Sequence, residues 1–178
     1  VMAPMVATQA EATGFAERVR ALGLPKVGVM IEVPAAAIRS RGILYHVDFA
    51  SLGTNDLQQY TMAADRMQGE LAALLNPWEP ALLDVVALAC DGGQAMGKPI
   101  GVCGEAGGDP ALALVLAGLG VSSLSMAPGK VPAVRTSLSL HTREQCQQMA
   151  AAARAAVDAA GARAAVLAMA DPVLLDLI

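Results

Sequence analysis

The sequence predicts an α/β fold in which parallel strands and helices alternate along the chain. Short apolar runs typical of buried strands are separated by amphipathic or alanine-rich stretches with helical spacing. Polar or reactive residues directly follow several of the apolar runs, as at the carboxyl ends of parallel strands. Such units in series predict a (β/α)8 TIM barrel. Because a whole barrel takes roughly 250 residues, this chain supplies about half of one.

Each predicted strand ends in a residue or turn that stops it. The run that ends at Glu32 is followed by Pro34, and two later runs lead into Gly53 and Cys103. The predicted strands cover residues 1–6, 27–31, 47–52, 99–102 and 123–126.

The helices are predicted from apolar periodicity and from capping residues. Thr8 and Thr142 are candidate N-caps, and Gly23 with Pro25 ends the first helix. The predicted helices cover residues 9–22, 55–64, 81–96, 111–117, 142–160 and 162–169.

The composition limits the kind of protein this can be. Hydrophobic residues make up 55% and aromatic ones 3% of the chain, so Ala, Val, Leu and Met must fill a packed core. With a net charge of -4 and no basic run, a nucleic-acid surface is not expected. The apolar stretch 110–129 is broken by Gly and Ser, so we expect no membrane insertion.

The cysteines and the start of the chain bear on its compartment. Three widely spaced cysteines without a C-x-x-C pair predict neither a disulfide framework nor a zinc site. Reduced thiols suit a cytosolic protein. No basic segment opens the chain, so we expect no signal peptide and a cytoplasmic location.

Two carboxylates follow neighbouring predicted strands. Glu32 ends the second strand, and Asp56 follows the third within Gly53-Thr54-Asn55-Asp56. In a barrel both would lie at one rim, where carboxylate oxygens suit Mg2+ completed by water and substrate oxygens. An acidic residue at that point can instead serve a helix N-terminus.

Two further side chains could carry chemistry. Arg66 could hold a phosphate through paired hydrogen bonds, or pair with Asp65 or Glu70 at the surface. Cys103, between Gly101 and Gly104, could be a nucleophile or a general acid, or a small buried apolar residue.

The two histidines suggest no chemistry. His46 precedes a predicted strand and His141 precedes a predicted helix, positions typical of loop-end residues. No histidine close to Cys103 in the sequence supports a Cys-His pair.

Taken together, these motifs resemble the signature series of the phosphoenolpyruvate-utilising enzymes. GVMIEVPAAA lies at 28–37 and GTNDLQQYT at 53–61, followed by Asp65-Arg66 and Cys103-Gly104-Glu105. The order and spacing match from about residue 2 to 134. Within the family, QYT followed by AADR is most similar to enzyme I of the bacterial sugar phosphotransferase system. The stretch 126–132 departs from that pattern.

The resemblance implies roles for individual residues. Glu32 and Asp56 would hold Mg2+, and Asn55 and Arg66 would bind the substrate phosphate. Cys103 would protonate C3 of the enolate to give pyruvate. The chemistry agrees, because phosphoryl transfer needs cations at the phosphate oxygens and enolate protonation needs a placed proton donor.

The resemblance also implies an assembly. Residues 1–178 would be the C-terminal half of the phosphoenolpyruvate-binding barrel, without the N-terminal phosphohistidine domain. The intact enzyme would pass the phosphoryl group to its own histidine and then to the histidine-containing phosphocarrier protein. We expect a homodimer and no turnover by this chain alone.

Other functions fit some of the same residues. Within the family, pyruvate phosphate dikinase and phosphoenolpyruvate synthase share the barrel. A Mg-dependent aldolase or lyase would use Glu and Asp at strand ends without needing Arg66 and Cys103. A dimerisation module would need none of them.

Overall fold

The sheet has five parallel strands that lie side by side in the order in which they occur along the chain. The structure, a computed structural model, describes residues 1–176 and 178. Each neighbouring pair is parallel, so every connection carries the chain back to the end of the sheet at which the strands begin. This is the arrangement of part of a (β/α)8 barrel, as the sequence predicts. The strands are β1 (Met2–Ala3), β2 (Gly28–Ile31), β3 (Phe49–Gly53), β4 (Ile100–Cys103) and β5 (Ser123–Leu124).

Helices connect the strands and cover the sheet. Among the described residues no single helix is long and apolar enough to cross a membrane, although one pair bent by 53°, Gly69–Leu75 with Pro80–Met96, reaches that length and apolarity together. The helices are α1 (Gln9–Ala21), α2 (Pro34–Ile38), α3 (Ser40–Leu44), α4 (Thr54–Thr61), α5 (Pro80–Met96), α6 (Pro110–Gly118), α7 (Val131–Ser139), α8 (Arg143–Arg154) and α9 (Ala159–Met169). Short 3-10 turns lie at Gly69–Leu75, Glu105–Gly108, Pro128–Lys130 and Pro172–Asp176.

The ends of the first helix follow the local signals. The Thr8 side chain accepts from the amide of Glu11, whose carboxylate accepts from the Thr8 amide, forming a capping box. Past the end of α1, Gly23 has a φ of +80°, a conformation in which glycine is favoured. Both predictions are confirmed.

The prediction of one long helix over residues 142–160 is wrong. The helix α8 ends at Arg154, and Asp158 caps a new helix by accepting from the amide of Gly161. Alanine favours a helix on both sides of residues 155–158, so composition does not mark the break there, and the prediction placed it at residue 161. An N-cap carboxylate marks the new start. Three helices, α2, α3 and α7, were not predicted.

The core lies between the sheet and the connecting helices. Alternate strand side chains such as Val29, Ile31 and Leu52 are fully buried. The helix α6 is buried almost all round, because α7, α8 and α9 all pack against it. At its end, Gly118 lies so close to the backbone of Cys146 in α8 that a side chain there would collide with the Cys146 carbonyl group.

We predict that Gly118→Ala lowers the free energy of unfolding by about 1–3 kcal/mol, the range of an overpacked core site. The matched control is Gly14→Ala in the interior of α1, where an added methyl meets no atom within 4 Å. That change should raise stability by about 0.5–1 kcal/mol, because alanine loses less backbone freedom on folding. Urea unfolding measures both, and equal effects of the two substitutions would contradict the close packing of α6 on α8.

Candidate functional site

The register of the sheet brings the ends of β2, β3 and β4 to one edge. Ile31 pairs with Leu52, and Gly53 pairs with Cys103. Glu32 follows directly after β2, and α4 starts where β3 ends, with Asn55 and Asp56 in its first turn. These residues therefore lie along the carboxyl edge of the sheet, where functional residues of such barrels are found.

Glu32 is a buried carboxylate with little compensation. The residue is 3% exposed, and its Oε1 accepts a hydrogen bond of 2.7 Å from the amide of Met5. Met5 donates from a left-handed backbone conformation, with φ at +54°. Among the described residues no basic side chain lies within 4 Å of Glu32. A buried charge without a partner is unfavourable, so this site suits a bound cation.

Gly53 leaves room for the Glu32 side chain. A Cβ at position 53 would collide with Oε2 of Glu32 and lie 2.9 Å from the Glu32 Cβ. The Glu32 carboxylate thus lies across the end of β3 at Gly53. Asp56 follows Gly53 by three residues in the sequence. The described residues contain no group of three or more acidic, His or Cys side chains placed around one metal ion. A metal ion held by Glu32 and Asp56 would take its remaining ligands from water and substrate oxygens.

Arg66 pairs with Asp56, and not with Asp65 or Glu70, the partners considered from sequence. The Nη2 atom of Arg66 lies 3.4 Å from Oδ1 of Asp56, and the two side chains are 51% and 29% exposed. The Arg66 amide donates to Oε1 of Gln59 at 3.1 Å, which fixes the loop after α4. An exposed pair of this kind contributes about 0–1 kcal/mol. The guanidinium can therefore change partner at little cost.

Cys103 is the partly exposed cysteine of the three. Its thiol donates to the carbonyl oxygen of Leu52 at 3.5 Å. Cys90 and Cys146 are buried. Burial raises the pKa of the Cys90 thiol to about 12, the Asp91 carboxylate adds to this rise, and burial also raises the pKa of Cys146. The chemistry of a thiol at this edge falls to Cys103.

A glycine also brings the end of β4 against the start of α4. Gly104 has a φ of +120°, and a Cβ there would lie 2.7 Å from the hydroxyl of Thr54 and 3.4 Å from Oδ1 of Asn55. The Thr54 hydroxyl is buried and has no hydrogen-bond partner among the described residues. Unpaired buried polar atoms are uncommon and often mark a place where a ligand or water binds.

A cleft of about 940 Å³ lies beside this edge. It extends from the start of α4 past the ends of β4 and β5 to α9. Glu32, Asp56, Arg66 and Cys103 do not line it, so Asn55 connects the two parts of the site. The residues that give the cleft its polar character are Asn55, Glu105, Asp109, Ser125, Lys130 and Arg163.

Both histidines make structural hydrogen bonds. His46 contacts the side chain of Gln9 at 2.9 Å. Nδ1 of His141 lies 2.8 Å from the carbonyl oxygen of Ser137, and its Nε2 accepts from the amide of Asp171 at 2.9 Å. Neither histidine lines the cleft.

Sequence reasoning missed several parts of this site. The Met5 amide carries no sequence signal, because any non-proline residue has one. Gln59 could have been found, since a helix-end amide often binds the loop that follows. Lys130 lies in the stretch 126–132, whose departure from the family pattern was the available signal.

The fold and this edge define a phosphoenolpyruvate-binding barrel domain. The family model described as "PEP-utilising enzyme, PEP-binding domain" matches residues 1–143. The chain therefore belongs to the family of phosphoenolpyruvate-utilising enzymes, as the motifs indicated.

Curated relatives place it more closely. The chain is 56% identical over 166 residues to a phosphoenolpyruvate-protein phosphotransferase of Streptomyces coelicolor, covering 93% of this chain and 30% of that protein. It is 43% identical over 156 residues to a multiphosphoryl transfer protein of Xanthomonas campestris, covering 84% and 19%. It is 40% identical over 148 residues to a phosphoenolpyruvate-protein phosphotransferase of Latilactobacillus sakei, covering 76% and 26%. The chain thus spans less than a third of each of these relatives.

Proposed function

We propose that this edge binds phosphoenolpyruvate with Mg2+, within an enzyme that transfers the phosphoryl group to a histidine and releases pyruvate. The observation that carries the proposal is the buried, uncompensated carboxylate of Glu32, on the sheet edge that also presents Asp56 and Cys103. The names of the relatives favour a phosphoenolpyruvate-protein phosphotransferase over the dikinase, the synthase and an aldolase.

The phosphate of the substrate would be held at the start of α4. Arg66 can exchange its weak pair with Asp56 for two parallel hydrogen bonds to phosphate oxygens. The exposed side chain of Asn55 can donate to the same group. These two residues would orient the phosphate for transfer.

Glu32 and Asp56 would hold the Mg2+. When bound, the ion neutralises negative charge on the phosphate and on the enolate oxygen. Gly53 lets the Glu32 carboxylate lie against the end of β3, which fits this role. The amide of Met5 fixes the other oxygen, so the carboxylate has a set direction before any ligand arrives.

Cys103 would supply the proton that completes pyruvate. Transfer breaks the bond between phosphorus and the bridging oxygen, and that oxygen keeps the electron pair as an enolate. The enolate carbon C3 then takes the thiol proton, and the thiolate regains a proton from water. The hydrogen bond to the Leu52 carbonyl fixes the direction of the thiol.

The acceptor histidine is proposed to lie on a separate domain. Neither histidine of this chain lines the cleft, and both are engaged in structural hydrogen bonds. In this proposal the phosphohistidine domain and then the histidine-containing phosphocarrier protein receive the phosphoryl group. The name of the Xanthomonas relative, a multiphosphoryl transfer protein, agrees with such a relay.

We further propose that the chain self-associates as a dimer. In the described residues β1 and β5 each pair on one side only, and unpaired strand edges favour association. Light scattering of the 178-residue chain at micromolar concentration should give twice the mass of one chain. A monodisperse monomer would contradict this part of the proposal.

Glu32→Gln separates a metal ligand from a merely structural glutamate. Without Mg2+ the variant should be as stable as the wild type or more so, because the amide oxygen keeps the hydrogen bond from Met5 while the buried charge is lost. Added Mg2+ should stabilise the wild type by mass action and leave the variant unchanged. Thermal unfolding with and without Mg2+ measures this.

The control for that experiment is Glu17→Gln, an exposed residue of α1. It should keep the full response to Mg2+. Equal stabilisation of Glu32→Gln and wild type by Mg2+ would show that Glu32 is not a ligand.

Cys103→Ala tests the acid role in the full-length enzyme. Pyruvate release should fall by about 10²–10⁴-fold, the usual contribution of a positioned proton donor, while binding of phosphoenolpyruvate stays within about threefold, because binding would rest on charge. A coupled pyruvate assay and a binding titration give the two values. Cys146→Ala, which removes a buried thiol, is the control and should keep its rate. Unchanged pyruvate release by Cys103→Ala would refute the acid role.

A further inference from the structure

Lys130 brings a positive charge to the cleft from the side of β5. It ends the 3-10 turn Pro128–Lys130 that follows β5, and it lines the same cleft as Asn55 and Gly104. Across residues 1–176 and 178, no carboxylate oxygen lies within 4 Å of its ammonium group. A lysine that faces a cleft without an acidic partner is available to an anionic ligand.

Two glycines bring the loop that carries Lys130 close to the turn after β4. A Cβ on Gly108 would lie 3.4 Å from Cγ of Lys130 and 3.6 Å from its Cβ. A Cβ on Gly107 would lie 2.9 Å from the carbonyl oxygen of Ser125. These two glycines let the loop after β5 rest against the turn that follows Cys103 and Gly104. Lys130 therefore lies beside this turn, and its side chain is exposed and lines the cleft.

The acidic residues of the cleft do not cancel this charge. Asp109 accepts from the amides of Ala111 and Leu112 at 2.9 and 3.1 Å, and from the indole of Trp78 at 3.2 Å. Its carboxylate is thus already satisfied by three donors. Glu105 is exposed to solvent, where screening weakens its effect.

We propose that Lys130 binds the carboxylate of phosphoenolpyruvate and so helps to set specificity for a substrate with two anionic groups. This inference rests on the proposed function. Phosphoenolpyruvate carries a phosphate and a carboxylate. In the proposed function Arg66, Asn55 and the metal ligands take the phosphate at the ends of β2 and β3. Lys130 follows β5, on the other side of β4 from Glu32 and Asp56, and lines the cleft with Asn55 and Gly104, so it is placed to meet the other anionic end.

The test is Lys130→Gln in the full-length enzyme, with Lys130→Arg to restore the charge. For Lys130→Gln the KM for phosphoenolpyruvate should rise about tenfold, the usual effect of losing a charged hydrogen bond. The kcat should stay within about twofold, and Lys130→Arg should recover most of the KM. Lys26→Gln is the matched control, because this exposed lysine precedes β2 at the opposite edge of the sheet.

Two probes distinguish the anionic groups. Oxalate carries carboxylates only, and inorganic phosphate carries the other group. The substitution should weaken binding of oxalate about tenfold and leave binding of inorganic phosphate unchanged. Weaker binding of inorganic phosphate alone would overturn the assignment to the carboxylate.

The outcomes also separate this inference from the proposed function. An unchanged KM for Lys130→Gln, together with loss of pyruvate release in Cys103→Ala, overturns the role of Lys130 and leaves the proposed function standing. No binding of phosphoenolpyruvate by the wild-type enzyme overturns both. Thermal unfolding of Lys130→Gln should match the wild type, since its side chain is exposed.

Discussion

Parallel pairing of β2, β3 and β4 in register is the constraint on which the site depends. Because Gly53 lies opposite Cys103, the end of one strand and the beginning of α4 are fixed next to the thiol. A shift of one residue in either pair would turn the side chains to the other face. Gly53 and Gly104 have no side chain, so Glu32 can approach the end of β3 and the end of β4 can approach the start of α4. The positions of Glu32, Asn55, Asp56 and Cys103 thus follow from the strand pairing and from two missing side chains.

The buried carboxylate of Glu32 shows how such an edge can tolerate an unfavourable group. Packing hides it and one amide hydrogen bond supports it, while no basic side chain compensates its charge within the described residues. A protein with only a small margin of stability keeps such a residue when another molecule restores the balance. The proposed cation at Glu32 would therefore contribute to the stability of the folded domain.

How much could be predicted from the sequence differed between kinds of residue. Glu32, Asp56 and Cys103 could be placed on one edge because each follows an apolar run, and parallel strands end on the same side. The hydrogen bond between Met5 and Glu32 could not be predicted, because it joins residues that are 27 apart and requires a positive φ at a residue other than glycine. The break between α8 and α9 was predicted at residue 161, several residues too late, because alanine favours a helix on both sides of it. Lys130 could be seen as unusual, but its place in the cleft depends on the path of the loop after β5.

The ion pair of Asp56 and Arg66 determines the net charge at this part of the edge. Each group is the counter-ion of the other, so the mouth of the barrel shows little net charge at this point before a ligand arrives. An incoming anion and its cation would divide the pair between them, each taking the member of opposite sign. The loss of the contact between Asp56 and Arg66 would then be offset, because each side chain gains a partner of opposite charge. Neither charge is then left without a counter-ion before the proposed ligands bind, and each would be available to the ligand of opposite sign.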